Sequence, residues 1–330
     1  MNMNFLSSFS RLFFITVPVV IACSSATDVG QGPNKTEQKV DTITLVDDEM
    51  FAKGLILKRG NPSESPGNIY PFLGSPAQPD WELAEWGTKF FLTEDDKLNT
   101  SNLVSYQNEG KQLSFHTGAN KPYPIQMNLL TSKEYTSPRK YGEFWPHLLI
   151  EQAFKQQPAI KDLKELRLKF KGKLTKSELK MKASEFDKGL HTAQFQLFLS
   201  IQNLNKNSAY YGDYVWFGIP FYDYRYEKIP LYASQDVAKD DATGKFIYSL
   251  ASETHLGNKT FHHGDEISVD IDLFPYIIKA IQTAKQRGFL TGSLEQEFKV
   301  SGMNLGWEVP GTFDVGFEIS KFNLTYINKN

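Results

Sequence analysis

The feature that most constrains the fold of this chain is an alternation of apolar and polar residues with a period of two. In residues 193–202 every second residue is apolar, and the intervening residues are mainly Gln and Ser. The same alternation recurs at 166–170, 267–273 and 313–320. Because successive side chains of a β-strand point to opposite faces, this pattern predicts strands with one buried face.

The alternating segments predict an all-β fold. They recur without the intervening helical patterns that parallel β-α-β units need. Sheets with one apolar face usually pair their strands antiparallel, and two such sheets bury these faces by packing together. We therefore expect an antiparallel two-sheet β-sandwich. Shorter strand-like segments occur at 86–92, 111–116, 125–130, 143–151, 213–221 and 245–250.

Two segments depart from the alternation. Residues 275–287 predict one inserted α-helix, with Pro275 at its first position, an apolar stripe that includes Ile277 and Ile281, and Gly288 just after its end. Residues 174–190 are highly charged and have no clear period, so we expect a long loop or hairpin there.

Composition excludes two classes of protein. The 36 basic and 38 acidic residues give a net charge of −2, which provides no basic surface for nucleic acid. The mean hydropathy is −0.40, and the one long apolar run lies near the start of the sequence, so a polytopic membrane protein is excluded. Aromatic residues are abundant, at 14% of the chain.

The N-terminal segment has the pattern of a processing signal. Arg11 precedes an apolar run that ends at Val20-Ile21-Ala22-Cys23, and Cys23 is the only cysteine. This segment resembles the lipobox of bacterial lipoproteins, in which the cysteine is acylated, for example with palmitate. An ordinary secretory signal with an incidental cysteine is the alternative. A single cysteine excludes a disulfide framework.

The lipobox resemblance implies a division of the chain and a location. Residues 1–22 would be a signal peptide, 23–41 a lipidated flexible tether and 42–330 a single β-sandwich domain. The protein would sit in the bacterial cell envelope and contact the membrane through its lipid anchor only. By analogy, Ser24 and Ser25 after the cysteine are compatible with the outer membrane.

The predicted sandwich carries Trp81-x-x-x-x-Trp86 early and the segment 301–311, which contains Trp307, before its last strand. Together with the tether, this arrangement resembles the jelly-roll domains of bacterial carbohydrate-active proteins, which include galactose-binding-like modules and jelly-roll polysaccharide lyases and hydrolases. No single family of this group is matched residue by residue. The resemblance implies a carbohydrate partner.

The segment 143–151 contains the first candidate site. Pro146 disfavours a helix, and in a strand Trp145, His147 and Glu151 share one polar face while Phe144, Leu148 and Ile150 face the core. Trp145 and His147 would lie about 6.6 Å apart. A flat ring beside hydrogen-bonding groups suits a sugar, whose faces are C–H and whose edges are hydroxyls. The alternative is an edge strand in which His147 only forms a hydrogen bond with a neighbouring polar group.

Further candidate ligand contacts come from the polar faces of two other segments. Gln194 and Gln196 lie on the polar side of the strand predicted at 193–202, where their amides could hydrogen-bond to ligand hydroxyl groups or simply face solvent. In the aromatic run 210–226, Trp216 faces away from the core and Gly218 leaves space over the backbone. Beyond Pro220 the register is expected to slip, and Asp223 and Arg225 would form an ion pair or grip a ligand.

No cofactor is expected, apart from a possible structural Ca²⁺. Asp236, Asp240 and Asp241 lie in one loop and have the oxygen ligands that Ca²⁺ prefers, but not the spacing of a known calcium loop. We therefore favour a solvated turn over a calcium site. The run His262-His263-Gly264 is expected to be a turn.

Three functions remain open. The first is a lipoprotein that binds a polysaccharide or oligosaccharide through Trp145, His147, Gln194, Gln196, Trp216, Asp223 and Arg225. The second is a lyase or glycoside hydrolase on the same scaffold. In that enzyme His147 would be the base or acid, Tyr222 or Tyr224 a proton donor, and Arg225 the group that neutralises a uronate. The third is a structural or assembly lipoprotein without a small ligand, which predicts that the aromatic residues near 210–226 are buried and that no cleft exists.

Overall fold

The alternating segments form the strands of two sheets. The computed structural model describes residues 41–60, 66–72, 77–117, 125–237 and 242–329. The first strands are β1 (Ile43–Thr44), β2 (Leu55–Lys58), β3 (Asn68–Ile69), β4 (Trp81–Ala84), β5 (Lys97–Asn99), β6 (Leu103–Gln107), β7 (Lys111–His116) and β8 (Ile125–Leu130). The later strands are β9 (His147–Ala153), β10 (Leu163–Leu179), β11 (Gln194–Asn203), β12 (Tyr214–Asp223), β13 (Tyr232–Gln235), β14 (Phe246–Ser249), β15 (Ile267–Asp272), β16 (Phe298–Glu308) and β17 (Phe313–Asn328).

The strands are divided between a larger and a smaller sheet. The larger, nine-stranded sheet has the order β13-β14-β12-β11-β16-β9-β4-β2-β3. The smaller, eight-stranded sheet has the order β15-β10-β17-β8-β7-β6-β5, and β1 also pairs with β17. The pairs are antiparallel except β12 with β14 and β2 with β4. The prediction of an all-β, two-sheet sandwich is confirmed.

The core lies between the inner faces of the two sheets. Its centre is aromatic: the rings of Phe195 and Phe317 stack at 4.0 Å, and those of Phe170 and Phe221 at 3.9 Å. Each pair joins one strand of the larger sheet to one of the smaller sheet. Phe195 belongs to the predicted apolar face of residues 193–202, so the sequence pattern assigned the buried side of β11 correctly.

The predicted helix is present, as α3 (Phe274–Gln286), with Pro275 in its first turn and Gly288 after its end. Two short helices, α1 (Thr131–Glu134) and α2 (Glu253–Leu256), were not predicted. None of the helices in the described ranges has the length and apolar character needed to span a bilayer. The predicted signal peptide, Cys23 and most of the tether lie outside the described residues, so those boundaries stay predictions.

Two sequence expectations about strands are wrong. Residues 174–179 are the end of strand β10 rather than a loop, because they pair with the start of β17. Register shifts between Lys171 and Gly172 and between Leu174 and Lys176 interrupt the alternation, which hides the strand in the sequence. Residues 86–92 contain no strand, and the strand before them ends at Ala84.

A buried ion pair joins the two sheets near one edge. Lys111 begins β7 of the smaller sheet and Glu85 follows β4 of the larger sheet. Lys111 Nζ lies 3.1 Å from Glu85 Oε1, and both side chains are fully buried. The same oxygen accepts the backbone N–H of Leu92 at 3.0 Å. Burial lowers the pKa of Lys111, and the nearby Glu85 carboxylate opposes that shift.

We expect Lys111→Met to reduce the free energy of unfolding by about 3–5 kcal/mol, because it leaves the Glu85 carboxylate buried without a counter-ion. Urea unfolding measures the change. The double variant Lys111→Met/Glu85→Gln should recover much of the loss, since neither charge remains. A single variant as stable as the unmodified protein would contradict this account.

Candidate functional site

The outer face of the larger sheet carries the polar residues of its central strands. On β9, Leu148 and Ile150 belong to the core, so the alternating His147, Leu149 and Glu151 face outward. The paired registers of β9, β16 and β11 align these residues in three rows across the sheet. The rows are His147–Glu308–Gln194, Leu149–Gly306–Gln196 and Glu151–Asn304–Phe198, and we call this surface, with Trp216 and Tyr214 beside it, the outer face.

The first row is centred on a histidine and a carboxylate. His147 Nε2 lies 3.5 Å from Glu308 Oε2, and Gln196 Nε2 donates to Glu308 Oε1 at 3.3 Å. The other imidazole nitrogen, Nδ1, is buried and has no hydrogen-bond partner among the described residues. An arrangement of this kind can exchange a proton or bind a hydroxyl group.

The prediction that His147 and Trp145 are exposed is wrong. His147 is 3% exposed and Trp145 is 8% exposed. The ring of Trp145 stacks on the His147 ring at a centroid distance of 5.9 Å, and the ring of Trp86 lies 5.6 Å from the His147 ring. The guanidinium of Arg139 in turn lies 4.7 Å over the Trp145 ring. The two residues are neighbours, as predicted, but in a packed cluster at one end of the outer face.

The third row contains a second carboxyl group. Burial raises the pKa of Glu151 to about 7, the facing Glu82 carboxylate adds to the shift, and the Asn304 side chain donates a hydrogen bond that opposes it. Glu82 itself pairs with Lys58. The Asn304 Oδ1 atom is buried without a partner among the described residues.

The middle row, Leu149–Gly306–Gln196, separates the first and third rows and is buried. Its middle residue is Gly306, whose φ is 150°, and a Cβ there would meet the Leu148 carbonyl oxygen at 2.2 Å. Glycine is therefore required at this position. Along the strands the Glu151 and Glu308 positions are four residues apart, or about 13 Å. The middle row therefore lies between the two carboxyl groups.

Aromatic rings continue the outer face on β12. Trp216 pairs in register with Ser200 and points outward, where its half-buried ring lies 6.0 Å from Phe198 and 5.1 Å from Tyr214. Gly218 does not leave the expected open space, because the Ser249 hydroxyl already occupies it.

The aromatic run 210–226 as a whole is mixed in its exposure. Tyr210 is 49% and Tyr211 is 52% exposed, whereas Phe217 and Tyr222 are buried. The structural hypothesis predicted buried aromatic residues in this run, and the structure shows buried, half-buried and exposed rings there, so exposure alone does not decide against that hypothesis.

Asp223 and Arg225 form the expected ion pair, with Arg225 Nε and NH2 donating to the two carboxylate oxygens at 2.9 and 2.6 Å. The Asp223 carboxylate also accepts from Thr192 Oγ1 at 2.7 Å and from Gln194 Nε2 at 2.9 Å. Asp223 is 1% exposed. Because these donors hold the carboxylate, the pair stabilises the end of β12, and the charge of Arg225 is already neutralised.

The two tyrosines do not lie with His147. Tyr222 points inward, and its hydroxyl lies 2.6 Å from Ser177 Oγ on β10 of the opposite sheet. Tyr224 packs against Phe313 at 4.7 Å. The predicted register slip after Pro220 is present as a β-bulge, and it turns Tyr222 to the inner face. The proposed catalytic group of His147, Tyr222, Tyr224 and Arg225 is therefore not assembled.

The remaining candidates concern metal and lipid. Asp236 Oδ2 accepts from the backbone N–H and the hydroxyl of Thr243, at 2.8 and 2.7 Å. Asp240, Asp241 and Cys23 lie outside the described residues. Within the described ranges, no three His, Cys, Asp or Glu side chains are grouped to hold a metal ion.

Sequence reasoning missed Glu308, Asn304 and Trp86 as members of the site. The alternation around the buried Trp307 could have indicated that Glu308 points outward. Its position beside His147 could not have been inferred, because it depends on the pairing of β9 with β16.

No protein-family model and no curated protein sequence matches this chain. A cellulase derived from Cel12A of Rhodothermus marinus is 12% identical, with a TM-score of 0.39 over 74% of this chain and 99% of its own. A family 12 xyloglucanase from Bacillus licheniformis is 13% identical, with a TM-score of 0.42 over 71% and 98%. A family 11 xylanase from Neocallimastix patriciarum is 9% identical, with a TM-score of 0.36 over 70% and 94%. Similarity at this level concerns the fold alone.

The raised pKa of Glu151 predicts a pH dependence of stability. Between its ordinary pKa of 4.5 and about 7, the folded protein holds a proton that the unfolded chain releases. The free energy of unfolding therefore falls as the pH rises through this range, by on the order of 1–3 kcal/mol. Glu151→Gln should remove this contribution, as measured by urea unfolding at pH 4.5 and 7.5.

Glu82→Gln is the matched control, because Glu82 is a neighbouring carboxylate that pairs with Lys58. It should retain most of the pH dependence. A Glu151→Gln variant with the same pH profile as the unmodified protein would contradict the assignment.

Proposed function

We propose that the outer face binds a carbohydrate polymer. One observation carries this proposal: the partly exposed carboxylate of Glu308 contacts the buried His147 and Gln196 side chains, and the half-buried ring of Trp216 lies on the same face. The apolar core is complete on the other side of the sheet, so these groups are not needed to bury it. A sugar ring offers C–H faces to aromatic rings and hydroxyls to amides and carboxylates.

The charges of the outer face favour a neutral polymer. Glu82, Glu151 and Glu308 contribute carboxyl groups, while Lys58 is paired with Glu82 and Arg225 with Asp223. A uronate would meet these carboxyl groups, and the nearby cations are already engaged. Arg139 is buried over Trp145 and donates to backbone carbonyl oxygens, and Lys245, over the Tyr214 ring, lies 3.7 Å from Asp213. This distribution supports a neutral glycan and weighs against the lyase alternative, which used Arg225 to neutralise a uronate.

Hydrolysis of the same neutral polymer is the second candidate function. The contact between His147 and Glu308, with Glu151 on the same face, favours it. Glycoside hydrolases use two carboxyl groups about 5–10 Å apart. Release of new reducing ends from the polymer, abolished by Glu308→Gln, would support hydrolysis. If the protein binds the polymer but releases no new reducing ends, the result would support binding alone.

Binding can be tested by affinity electrophoresis in gels that contain hydroxyethylcellulose, xyloglucan, xylan or alginate. We expect retardation by at least one neutral polymer and none by alginate, a uronate polymer. Trp216→Ala should weaken binding about tenfold through loss of a stacking ring. Leu98→Ala is the control, since Leu98 is 55% exposed on β5 of the smaller sheet. Unchanged retardation of the Trp216 variant would remove this residue from the site.

We further propose that Cys23 anchors the protein by a lipid in the bacterial cell envelope, in the outer membrane. The apolar run before Val20-Ile21-Ala22-Cys23 and the polar segment after it support this proposal. The anchor would hold the outer face close to envelope or extracellular glycans.

Labelling with radioactive palmitate in a bacterial host tests the anchor. We expect the unmodified protein to incorporate label and to sediment with membranes. Cys23→Ala should incorporate none and should stay in the soluble fraction. Equal labelling of both proteins would show that Cys23 is not the acylated residue.

A further inference from the structure

A depression beside the outer face is not used by the contacts described so far. It has a volume of about 250 Å³ and is lined by residues that include Gly87, Lys89, Glu134, Ser137, Glu143 and Phe144. Glu143 and Phe144 directly precede Trp145 in the chain. Gly87 packs on the Trp145 backbone so closely that a Cβ would meet the Trp145 carbonyl oxygen at 2.2 Å. The depression therefore adjoins the indole cluster at the His147 end of the outer face.

The walls of the depression are held in place by hydrogen bonds. Glu134 is 3% exposed, and its carboxylate accepts from the Thr88 hydroxyl and, at 2.8 Å, from the backbone N–H of Lys89. Lys89 Nζ donates to the Glu134 carbonyl oxygen at 2.5 Å. The Tyr135 hydroxyl donates to the Phe144 carbonyl oxygen at 3.3 Å. These contacts fix the segment that presents Phe144.

Phe144 is an exposed ring at the edge of this depression. The sequence pattern assigned it to the core, yet it is 55% exposed. Thr136, Ser137 and Glu143 line the same depression, and Glu143 Oε2 accepts from the backbone N–H of Lys140 at 2.7 Å. A ring next to hydroxyls and a carboxylate is the combination that binds one face and one edge of a sugar.

We propose that this depression is an additional subsite for one sugar unit of the polymer that binds the outer face. Phe144 stacks on the sugar ring, and Glu143 with the hydroxyls of Thr136 and Ser137 binds its edge. Phe144 is three residues from His147, a chain distance of at most about 11 Å, so one oligosaccharide can reach both. This inference rests on the proposed binding function and extends it beyond the sheet.

The test uses oligosaccharides of two to eight units, prepared from whichever neutral polymer in the electrophoresis panel retards the full-length protein. Isothermal titration gives the affinity of each length. We expect Phe144→Ala to weaken the binding of the longer oligosaccharides about three- to tenfold. The shortest ones that bind should be unaffected, because they occupy the outer face only. Trp216→Ala should weaken all lengths.

Tyr141→Ala is the matched control. Tyr141 lies in the same segment and is 83% exposed, but it does not line the depression. We expect its affinities to equal those of the unmodified protein. Equal losses in the Tyr141 and Phe144 variants, or a Phe144 loss that is independent of length, would overturn the subsite while leaving the outer face intact. Failure of every polymer to bind would overturn both proposals.

Discussion

The position of β16 between β9 and β11 is the constraint on which both the core and the outer face depend. Trp307 of β16 is fully buried, and its indole Nε1 donates to the Met127 carbonyl oxygen of the smaller sheet at 2.9 Å. This bond fixes the direction of Trp307, and alternation then places Glu308 outward beside His147. A slip of one residue would bury the carboxylate and expose the indole. One register therefore determines the packing of the core and the chemistry of the surface.

The polar groups of the outer face fall into two kinds. The Asp223 carboxylate is saturated by Thr192, Gln194 and Arg225, so its hydrogen bonds are internal and structural. His147 and Asn304 each retain one buried polar atom without a partner in the described part of the chain. Such atoms cost about 1–3 kcal/mol each, and a native fold retains few of them. Both atoms lie on the outer face, so their cost is not explained by the packing of the core.

The sequence predicted what depends on local pattern and missed what depends on pairing between distant segments. The alternation in residues 193–202 identified strand β11 and its buried side, and Pro275 and Gly288 marked the inserted helix. Tyr222 was expected to act with His147, but the bulge after Pro220 turns it to the inner face. Trp145 and His147 were correctly paired but expected to be exposed, because nothing in segment 143–151 shows that Arg139 and Trp86 cover them.

The spacing of the carboxyl groups bears on the choice between binding and hydrolysis. Glu151 keeps its proton up to a pH of about 7, as a general acid must, and Glu308 lies against His147. Along the backbone the two carboxyl positions are about 13 Å apart, beyond the separation of about 5–10 Å at which two carboxyl groups act on one glycosidic bond. Hydrolysis would need both side chains to reach across the middle row at Gly306, whereas binding needs no such approach. This spacing favours the proposed binding over hydrolysis.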